Sequence, residues 1–134
     1  ALRELATSIS RNGKVSCNFK NSQTASLATV DANMHLYRIA QEAVNSAVRN
    51  GQARHITIEL KMEDNRVMLV VTDDGEGLSS DAWIKDGLGR QIMNYRAGMI
   101  NATLEVELLA QGGTRVTCRL PESESIFFDS HDVV

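Results

Sequence analysis

Three groups of residues have the types and spacing that bind flat or charged ligands. The first is Asp73-Asp74-Gly75-Glu76-Gly77, directly after the apolar run Val67-Met68-Leu69-Val70-Val71. A carboxylate buried beside such a loop can accept hydrogen bonds from an exocyclic amine, and glycine allows a close approach of backbone to ligand. Asp-Gly pairs also mark plain turns. The second is Gly87-Leu88-Gly89, opening a helical segment. Free N–H groups and a partial positive charge at a helix start suit phosphate, although a loop entering a helix has the same composition. The third is Glu42, Asn45, Ser46 and Arg49, spaced i, i+3, i+4, i+7 and therefore on one helix face. A solvated stripe is the usual reason for such a face. An acid, an amide and a guanidinium together could instead hold a metal–phosphate group.

The elements that must position these groups follow from hydrophobic periodicity. Residues 1–9 have helical character. Lys14–Lys20 alternates with period two, placing Val15, Cys17 and Phe19 on one face of a strand. Residues 21–33, rich in Ser, Asn, Thr and Ala, are expected as a loop. Leu36, Ile39, Ala40, Ala43, Ala47 and Val48 define a helix over Met34–Asn50, with Asp31 or Asn33 as cap and Gly51 at its end. Ile56–Met62 and Val67–Val71 form two strands joined by a hairpin turn at Glu63-Asp64-Asn65. Residues 78–86 form a short loop, and a second helix runs from about Arg90 to Asn101. The strands Leu104–Leu108 and Thr114–Leu120 meet across a Gly112-Gly113 turn. Residues 122–134, acidic and following Pro121, are expected as a loose tail. Hairpins with interspersed helices predict an α+β fold: a two-layer sandwich with helices on one face of a mixed sheet.

Composition narrows the function classes. The chain has 134 residues, enough for one domain with one core, with 43% hydrophobic and 23% charged residues. A net charge of -3 offers no field for nucleic acid, and no nucleic-acid partner is expected. No apolar run approaches the ~20 residues of a membrane span. The start, Ala1–Leu5, lacks a signal pattern and reads as the end of a helix from an upstream segment. Cys17 and Cys118 have no paired ligand at metal spacing and read as reduced, buried thiols of a cytoplasmic domain. Gly13-Lys14 is not a phosphate-binding P-loop. Neither Gly75-x-Gly77 nor Gly87-x-Gly89 completes a dinucleotide fingerprint.

Taken in order, the motifs resemble the GHKL superfamily of gyrase, Hsp90, MutL and the histidine kinases. Leu36–Asn50 resembles the kinase N-box and Val71–Gly77 the G1 box, Asp-x-Gly-x-Gly. Gly87–Ala97 resembles the G2 box, and Gly112-Gly113-Thr114 with Leu120-Pro121 resembles the final strand. The resemblance covers about residues 14–121. A short lid, Leu78–Asp86, and the Leu-Tyr-Arg-Ile-x-Gln-Glu wording are similar to sensor kinases of the nitrate-sensor and DesK type. The resemblance implies a fold of the Bergerat ATP-binding type.

The resemblance implies ATP and Mg2+ as cofactors and a role for each position. Asp73 would bind the adenine amine, with Thr114 supporting that pocket through a hydroxyl or a water. Gly75 and Gly77 would let the backbone approach the base, and Gly87 and Gly89 would sit at the phosphates. Glu42 would be the catalytic carboxylate, lying near the metal and triphosphate. Asn45, Arg49 and Asn50 would lie near phosphate and base. Ser46 stands where the family usually has the Asn that ligates Mg2+. Lys85 is expected as a solvated surface residue, and Arg96 as a brace for its helix. His35, His55 and His131 fit no phosphoacceptor pattern and are expected in surface or structural roles.

The implied function is that of a histidine kinase catalytic module. Residues 1–13 would end an upstream dimerisation helix, 14–121 would form the ATPase domain and 122–134 the tail. The partners would be that upstream phosphoacceptor domain and a response regulator. The full-length protein would be a homodimer, free or membrane-anchored through its other parts, and this chain alone a monomer. The rival readings are a degenerate nucleotide-binding module, an anti-sigma-factor-type serine kinase and a non-enzymatic interaction domain.

Overall fold

The structure, a computed structural model, describes residues 1–11, 13–21, 25–49, 52–75 and 87–127. The order of elements is α1 (Leu2–Ser10), β1 (Ser16–Lys20), β2 (Ala25–Leu27), α2 (Val30–Arg49), β3 (His55–Glu63), β4 (Arg66–Asp73), α3 (Gly87–Met99), β5 (Thr103–Leu108), β6 (Thr114–Arg119), a 3-10 turn (Glu122–Glu124) and β7 (Ser125–Phe127). Five strands make one sheet in the order β1-β3-β4-β6-β5. β1 runs parallel to β3 and the other pairs are antiparallel, so the sheet is mixed. The α+β sandwich expected from the sequence is the observed fold.

β4 sits at the centre because its side chains are apolar on both faces. Val67, Leu69 and Val71 join the core with Ile56, Ile58 and Leu60 of β3 and Leu36, Ile39, Ala40 and Val44 of α2. Met68 and Val70 point the other way and are still buried, beneath the charged outer face that includes Lys61, Arg115 and Arg119. The β3–β4 hairpin turns at Asp64 and Asn65, with φ +54° and +61°. Both residues occupy the left-handed region that a two-residue hairpin turn needs. Helix α3 ends with Asn101 at φ +55° and the bond Ala102 N–H to Ala97 O at 2.9 Å. Asn is the residue that best replaces glycine in this kind of helix ending.

Several expectations fail at their edges. Residues 21–33 are not all loop: Ala25–Leu27 form β2, and α2 begins at Val30 rather than Met34. Its cap is neither Asp31 nor Asn33 but Thr29, whose Oγ1 accepts from the Ala32 N–H at 3.0 Å. Gly51 lies outside the described residues. α3 begins at Gly87, so the Gly87–Gly89 motif forms its first turn rather than preceding it. The first strand is shorter than expected, starting at Ser16.

The acidic segment after Pro121 also differs. Ser125, Ile126 and Phe127 pair antiparallel with Leu27, Ser26 and Ala25. Ser125 Oγ accepts from Val67 N–H at 2.8 Å and donates to Pro121 O at 2.8 Å. Thr29 Oγ1 donates to Glu124 Oε2 at 3.0 Å. Through these bonds residues 122–127 belong to the fold and hold the start of α2.

Candidate nucleotide site

Asp73 is the last residue of β4 and is buried, 9% exposed. Its Oδ1 accepts the Gly75 N–H at 2.8 Å, and the nearby Thr114 amide weakly favours the ionised carboxylate. Thr114 stands opposite Asp73 in the β4–β6 register. Burial pushes the Asp73 carboxyl above its ordinary value. The Gly75 bond pulls it back, the charge of Asp74 raises it again and the Thr114 amide lowers it. A carboxylate has about four lone-pair positions. The Gly75 bond leaves room for a further donor, so the site fits the amine of an adenine ring.

Gly113, in the turn before β6, approaches residues 73–75 closely. It has φ +95°, and a Cβ there would collide with the Asp73 carbonyl oxygen and lie 3.1 Å from Asp74 Cα. Gly112, at φ +99°, lies over the Gly75 carbonyl, 3.8 Å from where its Cβ would be. The entry to β6 therefore lies flat on residues 73–75. The available signal was Gly-Gly directly before a strand whose register meets an Asp-x-Gly.

The polar face of α2 is present as expected. Glu42, Asn45 and Ser46 are half-buried and Arg49 is exposed. Arg49 folds back along the helix, with Nη2 3.6 Å from Glu42 Oε1 and Nε donating to Asn45 O at 3.4 Å. The donors here are oxygen-rich with one carboxylate, which fits a hard cation that shares its shell with phosphate and water. Among the described residues no cluster of three or more His, Cys, Asp or Glu could hold a metal unaided.

Gly87 starts α3 and Gly89 is buried in its first turn. A Cβ on Gly87 would meet nothing within 4 Å, so the space beside this helix start is open. The first amides of a helix lack partners within it. α3 packs on α2, and α2 packs on β4. Asp73, Gly75 and Thr114 are brought into direct contact, while the α2 face and the α3 start lie on adjoining elements. Gly77, Asn50, Lys85 and His131 lie outside the described residues. His35 Nδ1 lies 3.3 Å from Arg96 Nη1, tying α2 to α3, so both take structural roles. His55 is exposed and pairs with Asp74 at 2.7 Å. Cys17 and Cys118 are free and buried, and burial pushes their thiols up to about 11 and about 12.

With this geometry, the chain belongs to the family described as Histidine kinase-, DNA gyrase B-, and HSP90-like ATPase, which matches residues 31–124. It is similar to Sensor protein VraS of Staphylococcus aureus (strain COL), 33% identical over 98 residues, covering 73% of this chain and 27% of that protein. It is also similar to Sensor protein VraS of Staphylococcus saprophyticus, 33% identical over 87 residues, covering 65% and 25%. The chain thus spans about a quarter of the length of the curated relatives it matches. Among solved structures, the ATP binding domain of PrrB from Mycobacterium tuberculosis superposes with a TM-score of 0.74 at 21% identity, covering 90% of each chain. That likeness shows the shared fold.

Proposed function

We propose that this chain is the ATP-binding catalytic domain of a two-component sensor histidine kinase. The reading rests on family membership, on the sensor-protein relatives and on one structural observation: a desolvated carboxylate, Asp73, held by the Gly75 amide opposite Thr114 in the sheet. Asp73 recognises the adenine amine. Gly87 and Gly89 open the helix whose amides face the phosphates. Glu42, Asn45 and Ser46 supply oxygens on the metal side, and Arg49 adds positive charge. Magnesium, when bound with the triphosphate, neutralises its charge. The protein's part is placement and charge stabilisation, which is most of what phosphoryl transfer requires. The phosphoacceptor is a histidine on a separate dimeric helical domain, and a response regulator aspartate receives the phosphoryl group afterwards. No described helix is long and apolar enough to cross a membrane.

The test is nucleotide titration of Asp73→Ala. Losing a hydrogen bond to a charged group costs about 1.5–3 kcal/mol, or roughly 10- to 150-fold in affinity. ATP should weaken by that much while the fold persists, and the natural chain should prefer ATP to GTP, which offers a carbonyl in place of the amine. Unchanged ATP affinity in a folded mutant overturns the reading. A second reading, nucleotide binding without transfer, is favoured by Ser46 standing where the resemblance implies a metal-binding Asn.

A further inference from the structure

We infer that Asp74 is a positioning residue for Asp73, its carboxylate fixing the point at which β4 leaves the sheet. The inference rests on the adenine-recognition reading of Asp73. The β3–β4 ladder runs as far as Ile56 opposite Asp73. The next rung would join His55 to Asp74, and half of it exists: the Asp74 N–H donates to His55 O at 3.2 Å. The Asp74 side chain takes over from there. Its Oδ1 accepts from the His55 N–H at 2.9 Å and from the Arg54 N–H at 2.8 Å, and its Oδ2 lies 2.7 Å from His55 Nδ1. One carboxylate thus gathers three groups at the entry of β3, a task main-chain carbonyls perform along the regular ladder. The Arg54 carbonyl in turn accepts from Ser16 N–H at 2.8 Å, so the start of β1 is tied into the same clasp.

This substitution has a geometric consequence. With the side chain holding β3, the main chain after Asp74 is released to turn, and Gly75 comes back to donate to Asp73 Oδ1 at 2.8 Å. On the other strand Gly113 passes so close that a side chain there would run into the Asp73 carbonyl and lie 3.1 Å from Asp74 Cα. Asp73 is therefore bracketed between a clasp on β3 and a glycine on β6. Partial burial works to raise the Asp74 carboxyl, yet its bonds to His55 and Arg54 hold it at about 2, so the clasp is ionised throughout the physiological range.

The experiment compares binding of ATP with binding of purine riboside triphosphate, which lacks the exocyclic amine. Asp74→Ala should weaken ATP about 5- to 10-fold and leave the amine-free nucleotide within about twofold. Asp74→Asn keeps an oxygen for both amides and should hold ATP within about twofold. Asp73→Ala combined with Asp74→Ala should bind ATP no worse than Asp73→Ala alone, because the second residue acts through the first. If Asp74→Ala weakens both nucleotides equally, the role is structural only. If Asp74→Asn is as poor as Asp74→Ala, charge rather than placement is the cause. Either result overturns the inference, as does undiminished ATP binding in folded Asp74→Ala. Where Asp74→Ala does not fold, His55→Ala carries the test. An ATP-selective loss of about two- to threefold supports the inference, and an equal loss for both nucleotides, or none, overturns it. A failure of the underlying reading is visible separately, since Asp73→Ala would then leave ATP binding unchanged; the inference falls with it.

Discussion

Adjacent carboxylates at the end of β4 are pushed in opposite directions, and the sign of each effect on stability can be worked out. Burial raises the Asp73 carboxyl above 3.8. The folded chain then holds that proton more tightly than the unfolded chain, and stability falls as pH rises from the unfolded value through the raised one. Asp73→Asn removes this penalty. Its melting temperature should gain on the natural chain as pH rises through that window and then run parallel above it. A difference that does not change with pH would refute the desolvation account. Asp74 behaves oppositely, with its carboxyl held at about 2 against an ordinary 3.8. Its contribution is complete above the unfolded value and is lost as pH falls toward about 2. Ser46 raises a different question at the same scale. Its hydroxyl is shorter than an Asn carbonyl, and Asn45 points about 100° away around the helix. Magnesium prefers octahedral oxygen ligands and keeps several waters, so Ser46→Asn should increase the Mg2+ dependence of ATP binding. If Ser46→Ala leaves that dependence unchanged, Ser46 is not a ligand.

At the scale of elements, what was legible in the sequence had long periodic signals. Strict alternation in Ile56–Met62, the apolar run of β4 and the stripe Leu36, Ile39, Ala43 and Ala47 located β3, β4 and α2, and the core is built from them. Asp73 was legible because it ends the most apolar strand ahead of spaced glycines. The elements that escaped are short and held from far away in the chain. β2 and β7 have three residues each and pair with each other. Ser125 reaches Val67, and Glu124 reaches Thr29. No local pattern announces such bonds. Ser125→Ala leaves the fully buried Val67 without its side-chain acceptor. An unsatisfied buried amide costs about 1–3 kcal/mol, so thermal or urea unfolding should show a loss of that size. A neutral result would mean residues 122–127 add nothing to the domain. Gly113 was visible as part of a motif, but its close approach to Asp73 and Asp74 across the sheet was not. Gly113→Ala should destabilise by more than about 1 kcal/mol, through positive φ and collision with Asp73. It should also weaken ATP, and normal ATP binding by this variant would show that residues 73–75 do not depend on the Gly112-Gly113 contact.

At the scale of the whole molecule, the proposed nucleotide site has no phosphoacceptor histidine beside it among the described residues. The two described histidines are committed elsewhere, His35 between α2 and α3 beside Arg96, and His55 in the clasp with Asp74. Phosphoryl transfer needs the acceptor in line with the leaving oxygen at close range, and much of the rate comes from holding it there. A domain that places ATP without the acceptor should therefore bind nucleotide and leave it nearly unreacted. Incubated with γ-labelled ATP, the chain should acquire no acid-labile phosphate. Supplied with a dimeric helical domain carrying a phosphoacceptor histidine, it should transfer label to that domain, and Asp73→Ala should transfer far less at limiting ATP. Two results would count against this division of labour. One is stable phosphate on His35, His55 or His131 of the chain itself. The other is label on a serine of the added partner, which would move the chain to the serine-kinase branch of its superfamily while leaving the nucleotide site as described.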